Sequence, residues 1–211
     1  MNVTKKKHAR LIESGEWQFE ETIKDYRAEW PGNMLVERAT WGPNTPIVKT
    51  VKLQGAEPET IAAADYIWFR FWLAEEDQIV ERYFSTTYDP IGSYLPITME
   101  LEKQGQSFQS VGLILGLWIA KDGRVTVLNE TDFDEAVANG EVNPVESERA
   151  ELRIRAMTSA ISQKRFPPAL VRNFTIATGK DESSTAGDAS DNFGEQINEQ
   201  IARNISSNKT D

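Results

Sequence analysis

Short runs of alternating apolar and polar residues, each closed by a turn-forming residue, dominate the chain from Trp17 to Asn129. Trp17, Phe19 and Glu21 alternate with polar neighbours in a run that reaches Trp30, where Pro31-Gly32 stops it, and this predicts a strand followed by a turn. Further strands are expected at 34–41, 46–53, 66–73, 78–86, 94–101, 111–120 and 124–129, separated by Gly-Pro, Gly, acidic or Asp-Pro turn signals. Closely spaced short strands of this kind predict a mostly β, antiparallel barrel or sandwich. Asp122-Gly123 lies between two apolar runs and predicts a tight hairpin that makes the last two strands antiparallel neighbours.

The period then changes. Residues 131–138 are acidic at the start, as a helix N-terminus prefers, and Asn139-Gly140 ends them. After Pro144, the residues Ala150, Ile154, Met157 and Ile161 recur at steps of four, three and four, predicting a longer helix that packs across the barrel until Phe166-Pro167-Pro168 terminates it. The chain divides into a polar amino-terminal segment (1–16), a barrel domain with carboxy-terminal helices (17–170) and an acidic tail (171–211) read as largely disordered. Within that tail Phe193, Ile197, Ile201 and Ile205 are spaced four apart, which would line one side of a short docking helix.

Composition narrows the chemistry. With no cysteine in 211 residues there is no disulfide framework, thiolate nucleophile or zinc-thiolate site, and a reducing cytoplasm is the natural setting. The Lys5-Lys6-Lys7 stretch is followed by polar residues with no apolar signal-peptide core, and the longest apolar run, 111–120, is half of the roughly 20 residues a membrane helix needs. A net charge of −10 disfavours broad electrostatic binding to nucleic acid. His8 is the lone histidine and lies in a basic segment, so no serine-type triad or histidine metal site is available, and neither a P-loop nor a dinucleotide fingerprint occurs. The cluster Tyr66, Trp68, Phe69, Phe71 and Trp72 reads first as barrel core and second as a platform for stacking a base.

The run from Ser110 to Val137, SVGLILGLWIAKDGRVTVLNETDFDEAV, resembles the signature of the FomD-like family, also called domain of unknown function 402. The family pattern there is an acidic strand, D-x-D-x-D, then an apolar strand, a Pro-Asp-Gly-like turn and Leu-Asp-x-x-Glu. Upstream, Tyr83-Phe84 and Gly92-Ser93-Tyr94-Leu95-Pro96-Ile97 resemble the family's strand ending in Tyr-x-Asn/Asp-Ile; downstream, Asn139-Gly140-Glu141-Val142 and Phe166-Pro167-Pro168 also fit. The resemblance spans about residues 64–170 and implies an antiparallel β-barrel of about seven or eight strands with carboxy-terminal helices, an α+β fold. It also implies hydrolysis of phosphoanhydride bonds in nucleoside di- and triphosphates, or in a cytidylylated phosphonate, with divalent cations.

The ligand positions depart from that pattern. Residues two apart on a strand share a face, so the family's three acids converge on one site; here the positions hold Gly112, Ile114 and Gly116, and the upstream Asn/Asp position holds Pro96. None offers a side-chain oxygen. Asn129 and Asp132 stand where the resemblance implies Asp and Glu, leaving a weakened pair. Arg27, three residues before Trp30, is a weak match to a position the resemblance links to proton donation, with an exposed strand arginine as the plain alternative; Asp132 reads equally well as part of an acidic first helical turn.

The sequence thus predicts a pseudo-phosphohydrolase without a cofactor that binds a nucleotide, another small molecule or a protein, with Tyr94, Asn129 and Asp132 as ligand-binding candidates. One alternative is a magnesium- or manganese-dependent nucleoside phosphate hydrolase rebuilt from Asp89, Glu100, Glu102, Asn129 and Asp132. A second is an RNA-associated protein.

Overall fold

The computed structural model describes residues 10–45, 49–51, 57–176 and 193–207. Its strands are β1 (Arg10–Glu13), β2 (Ile23–Glu29), β3 (Met34–Trp41), β4 (Lys49–Val51), β5 (Glu59–Ala62), β6 (Ile67–Leu73), β7 (Gln78–Phe84), β8 (Pro90–Thr98), β9 (Glu102–Gln104), β10 (Ser107–Ala120) and β11 (Val125–Leu128). Its helices are α1 (Glu130–Ala138), α2 (Pro144–Ser162), α3 (Ala169–Arg172) and α4 (Phe193–Ser207). The main sheet is antiparallel and runs β1-β10-β8-β7-β6-β3-β2, with β9 and β11 also paired to β10, while β4 and β5 form a separate ribbon. It is the mostly β, antiparallel curled half-barrel with helices that the strand spacing predicts.

Alternation decides which residues face the helices. Val36, Phe69, Phe71, Val80, Phe84, Leu95, Ile97 and Leu117 form one core with Phe133, Ala136, Ala150, Val171 and Phe174 from the helical side. The other face carries a second core built on Trp17, Trp41, Trp68, Tyr83 and Trp118. Burying one such aliphatic or aromatic side chain contributes roughly 1.5–3 kcal/mol, so the two faces together supply the main stabilisation. Helix α2 begins with a reciprocal cap, Asn143 Oδ1 accepting from the Glu146 amide and Glu146 accepting from the Asn143 amide, with Pro144 in the first turn.

Several boundaries differ from the sequence reading. The run expected as a strand from Trp17 is a short 3₁₀ turn, Glu16–Phe19, before β2. Gly15 at φ +83° opens that turn, and its amide donates to Glu37 Oε1 at 2.6 Å, pulling the chain inward so that Trp17 is buried. Strand β8 starts at Pro90 rather than 94, and Gly92 lies within it under the Trp118 ring, where a Cβ would fall 2.3 Å from Cζ2. Strands β5 and β9 are too short for periodicity to reveal. Strand β1 lies in the polar amino-terminal stretch and pairs with β10 from Arg10↔Gly112 to Glu13↔Gln109.

In the tail, α4 realises the four-residue spacing: Phe193 and Ile197 are buried in the helix-side core. The side chains of Ile201 and Ile205, and the stretch expected to be disordered at 179–192, lie outside the described residues. Among the described residues no helix is long and apolar enough to cross a membrane.

Candidate functional site

The face of the sheet opposite the helices encloses a cavity of about 810 Å³. It falls in the range of roughly 300–1,000 Å³ that small-molecule sites occupy. One row of cross-strand neighbours organises its floor. In register these are Glu37 on β3, Arg70 on β6, Glu81 on β7, Tyr94 on β8 and Trp118 on β10. Each charged member sits mid-strand, with Arg38 following Glu37 and Arg82 following Glu81, and all three are nearly inaccessible: Glu37 0%, Arg70 4% and Glu81 7% exposed.

Buried charges persist only when paired and hydrogen-bonded. Arg70 meets that demand twice, with Nη2 2.8 Å from Glu81 Oε1 and Nη1 2.8 Å from Glu16 Oε1, and its guanidinium carbon lies 4.2 Å from the centroid of Trp17. Burial alone would lower the Arg70 pKa; the carboxylates of Glu81, Glu16 and Glu37 outweigh it and hold the group firmly protonated. Glu37 accepts from Tyr26 Oη at 2.7 Å, Trp72 Nε1 at 2.6 Å and the Gly15 amide. Glu81 also accepts from the Tyr83 hydroxyl. Burial, then the neighbouring carboxylate, pushes Tyr83 and Tyr94 (both beside Glu81) and Tyr26 (beside Glu37) well above the ordinary tyrosine range, so all three stay neutral.

Aromatic rings make the walls. Trp68 meets Trp41 edge-on at 4.8 Å between centroids and Tyr83 at 4.7 Å, and Tyr83 stacks on Trp118 at 5.5 Å. Trp118 lines the cavity, and its buried Nε1 has no acceptor among the described residues.

The candidates from sequence separate into two groups. Tyr94, Pro96, Gly112, Ile114, Asn129 and Asp132 all line the cavity. Arg27 does not; it follows Tyr26 on β2 and its Nε lies 3.3 Å from Asp25 Oδ1. Glu100 is paired with Arg149 at 2.8 Å, Glu102 accepts from Gln109 at 2.7 Å and Asp89 from Thr87 at 2.8 Å, all away from the cavity.

Alternation along β10 does not hold as the sequence suggests. Gly112 faces Thr98 while Gly116 faces Pro96, so four residue steps on β10 match two on β8. The bulge places Ile114 at φ +69°, a rare conformation for a β-branched residue, and Asn129 Nδ2 donates to the Ile114 carbonyl at 2.9 Å. Gly116 lies beneath the Tyr94 ring. A divalent cation bridging phosphates needs hard oxygen ligands. In the family's positions only Asn129 and Asp132 offer any, and the residues present do not fit that ion. Among the described residues no group of three Asp, Glu or His is arranged to hold a metal.

Sequence reasoning missed Glu16, Trp17, Arg70, Glu81 and Trp118 as cavity residues. The available signal was a charge set mid-strand among apolar residues, VERA, FRF and VERY, an arrangement that membership of one buried row explains for Glu37, Arg70 and Glu81.

No family model matches the sequence, and no curated protein matches it. Solved structures do. FomD in complex with CDP aligns with TM-score 0.52 at 11% identity, covering 74% of this chain and 84% of that one. The phosphatase SC4828 with the non-hydrolysable nucleotide GPCP aligns at TM-score 0.48 and 13% identity, covering 68% and 84%. A protein of unknown function, DUF402, from Rhodococcus sp. RHA1 aligns at 0.46 and 14%, covering 67% and 73%. The chain has the FomD-like fold.

Proposed function

We propose that this chain is a non-catalytic FomD-like barrel whose cavity binds a small molecule of the nucleoside class without metal-dependent cleavage of a phosphoanhydride bond. The observation that carries the reading is the state of the β8–β10 face, where Pro96, Gly112, Ile114 and Gly116 replace oxygen donors and the Tyr94 ring covers Gly116. The deep carboxylates cannot substitute, since Glu16 and Glu81 are already held by Arg70. The fold shared with FomD, whose structure holds CDP, supports a nucleoside-class ligand, and the tryptophan walls suit a flat heterocycle. The rebuilt-hydrolase alternative keeps only Asn129 and Asp132 in the cavity.

The test is phosphate release from a panel of nucleoside di- and triphosphates with magnesium, manganese or cobalt, run beside tryptophan-fluorescence titrations with nucleosides and nucleotides. Saturable quenching without phosphate release above the protein-free control is expected. Turnover that Asp132→Ala abolishes would overturn the non-catalytic reading.

A further inference from the structure

We propose that the cavity selects the unphosphorylated nucleoside over its phosphate esters, an inference that rests on the nucleoside-class reading above. FomD, by contrast, holds a nucleoside diphosphate.

The first argument is charge. The ionised residues that line the cavity are Arg10 and Arg70 against Glu16, Glu20, Glu81 and Asp132, two positive and four negative, a net of −2. Both cations are already matched: Arg70 holds Glu81 and Glu16, and Arg10 Nη2 lies 3.2 Å from Glu16 Oε2. Among the described residues the lining therefore has no cation without a carboxylate partner. A diphosphate brings further negative charge into a recess where repulsion is screened less than in open water.

The second argument is hydrogen-bond polarity. An ionised carboxylate only accepts, and so does a phosphate oxygen, so the two cannot bond to each other without a shared proton or cation. Ribose hydroxyls and the exocyclic amine of a base donate. Asp132 is exposed and carries no ion pair among the described residues, which leaves it free to accept from such a donor. Tyr94, kept neutral by burial and by Glu81, retains its hydroxyl proton as a donor.

The third argument is the wall. The Trp68 ring, edge-on to Trp41 and Tyr83, forms an aromatic surface suited to a flat base, with the fully buried Trp118 stacked behind Tyr83. The lining carboxylates and the aromatic wall thus favour a base or a sugar over a phosphate, while the Tyr94 hydroxyl can donate to either.

The experiment uses the full chain and tryptophan fluorescence or calorimetry with each of the four ribonucleosides, its monophosphate and its diphosphate, in chelator at low salt and again with magnesium. At least one nucleoside should bind about tenfold or more tighter than its diphosphate, a difference that shrinks as salt screens the repulsion. Glu20→Lys, a change at an exposed lining position, should narrow the nucleoside-to-diphosphate ratio several-fold, whereas a general loss of folding would weaken both ligands alike. A diphosphate that binds as tightly as its nucleoside, with or without magnesium, would overturn the charge selection and leave the nucleoside-class site intact. Failure of every nucleoside and nucleotide to bind would remove both readings.

Discussion

The ring of Tyr94 occupies the space in which a side chain on Gly116 would begin: a Cβ built there falls 2.2 Å from Tyr94 Cε2 and 2.6 Å from its hydroxyl oxygen. Neither contact is possible between real atoms, so residue 116 and residue 94 are fitted to each other across β10 and β8. At Gly112 the nearest atoms to such a Cβ are the Arg10 carbonyl at 3.4 Å and Ile12 Cδ1 at 3.5 Å, an ordinary contact. Gly116→Ala should therefore destabilise the fold by about 1–3 kcal/mol through overpacking, while Gly112→Ala should cost less. Combining Gly116→Ala with Tyr94→Ala should cost less than the sum of the two single changes. Urea denaturation of the four variants measures this, and additive costs at 116 and 94 would refute the fitted pair.

That pair also shows what the sequence could and could not reveal. Period-two patterning and turn residues located β3 to the residue and placed β6, β7, the β10–β11 hairpin and α2 closely, because each has an apolar face packed against the core whose spacing survives in one dimension. Gly92 and Gly116 both lie inside strands, under Trp118 and Tyr94, and the sequence shows that such a glycine leaves room but not which ring fills it. The cavity was legible along β10 and at Asn129 and Asp132, where the resemblance pointed. The Glu37–Arg70–Glu81 row was not, since register between distant strands is set by the folded sheet and appears in sequence only as mid-strand charges.

Alkaline pH should unfold the protein through its buried phenols. Tyr26, Tyr83 and Tyr94 have folded pKa values above the ordinary value near 10, mainly because burial disfavours the phenolate and secondarily because carboxylates face them. A raised folded pKa gives stability that is complete below the unfolded value and declines as pH rises above it, because the unfolded chain releases protons the folded chain retains. Denaturant midpoints should fall progressively above about pH 10. The tyrosinate absorbance of these three, assigned by Tyr→Phe substitution, should rise together with loss of the far-ultraviolet signal. Ionisation of Tyr83 in a chain that remains folded would contradict the burial argument.

Asp77 fastens a turn and a helix at once. It sits between β6 and β7 at φ +51°, its Oδ1 accepts from the Leu101 amide at 2.6 Å, and its Oδ2 takes Arg153 of α2 at 3.0 Å. Asp77→Ala loses both bonds in a conformation that disfavours alanine, and a loss of about 1–3 kcal/mol is expected. Asp77→Asn keeps an acceptor for the amide and tolerates the left-handed backbone, so its cost should be smaller. Thermal or urea melts separate the two, and equal losses would mean that the ion pair with Arg153 carries the whole effect.

The buried ion pair of Arg70 and Glu81 distinguishes a scaffold from a ligand site. Leaving either charge alone in this position costs about 3–5 kcal/mol, since the survivor keeps its burial and loses its partner, whereas removing both together can be far less harmful. Arg70 retains a second carboxylate, Glu16, so Glu81→Leu strands less charge than Arg70→Met, which leaves Glu81 and Glu37 without the cation they face and Glu16 with Arg10 alone. Arg70→Met should accordingly be the more damaging of the two, and the double variant Arg70→Met/Glu81→Leu should recover part of that loss. The tyrosine hydroxyl of Tyr83, deprived of its acceptor by Glu81→Leu, limits the recovery. Circular dichroism melts of the cycle measure the coupling, and a double variant as unstable as the sum of its parts would show that Arg70 and Glu81 contribute independently rather than as a pair.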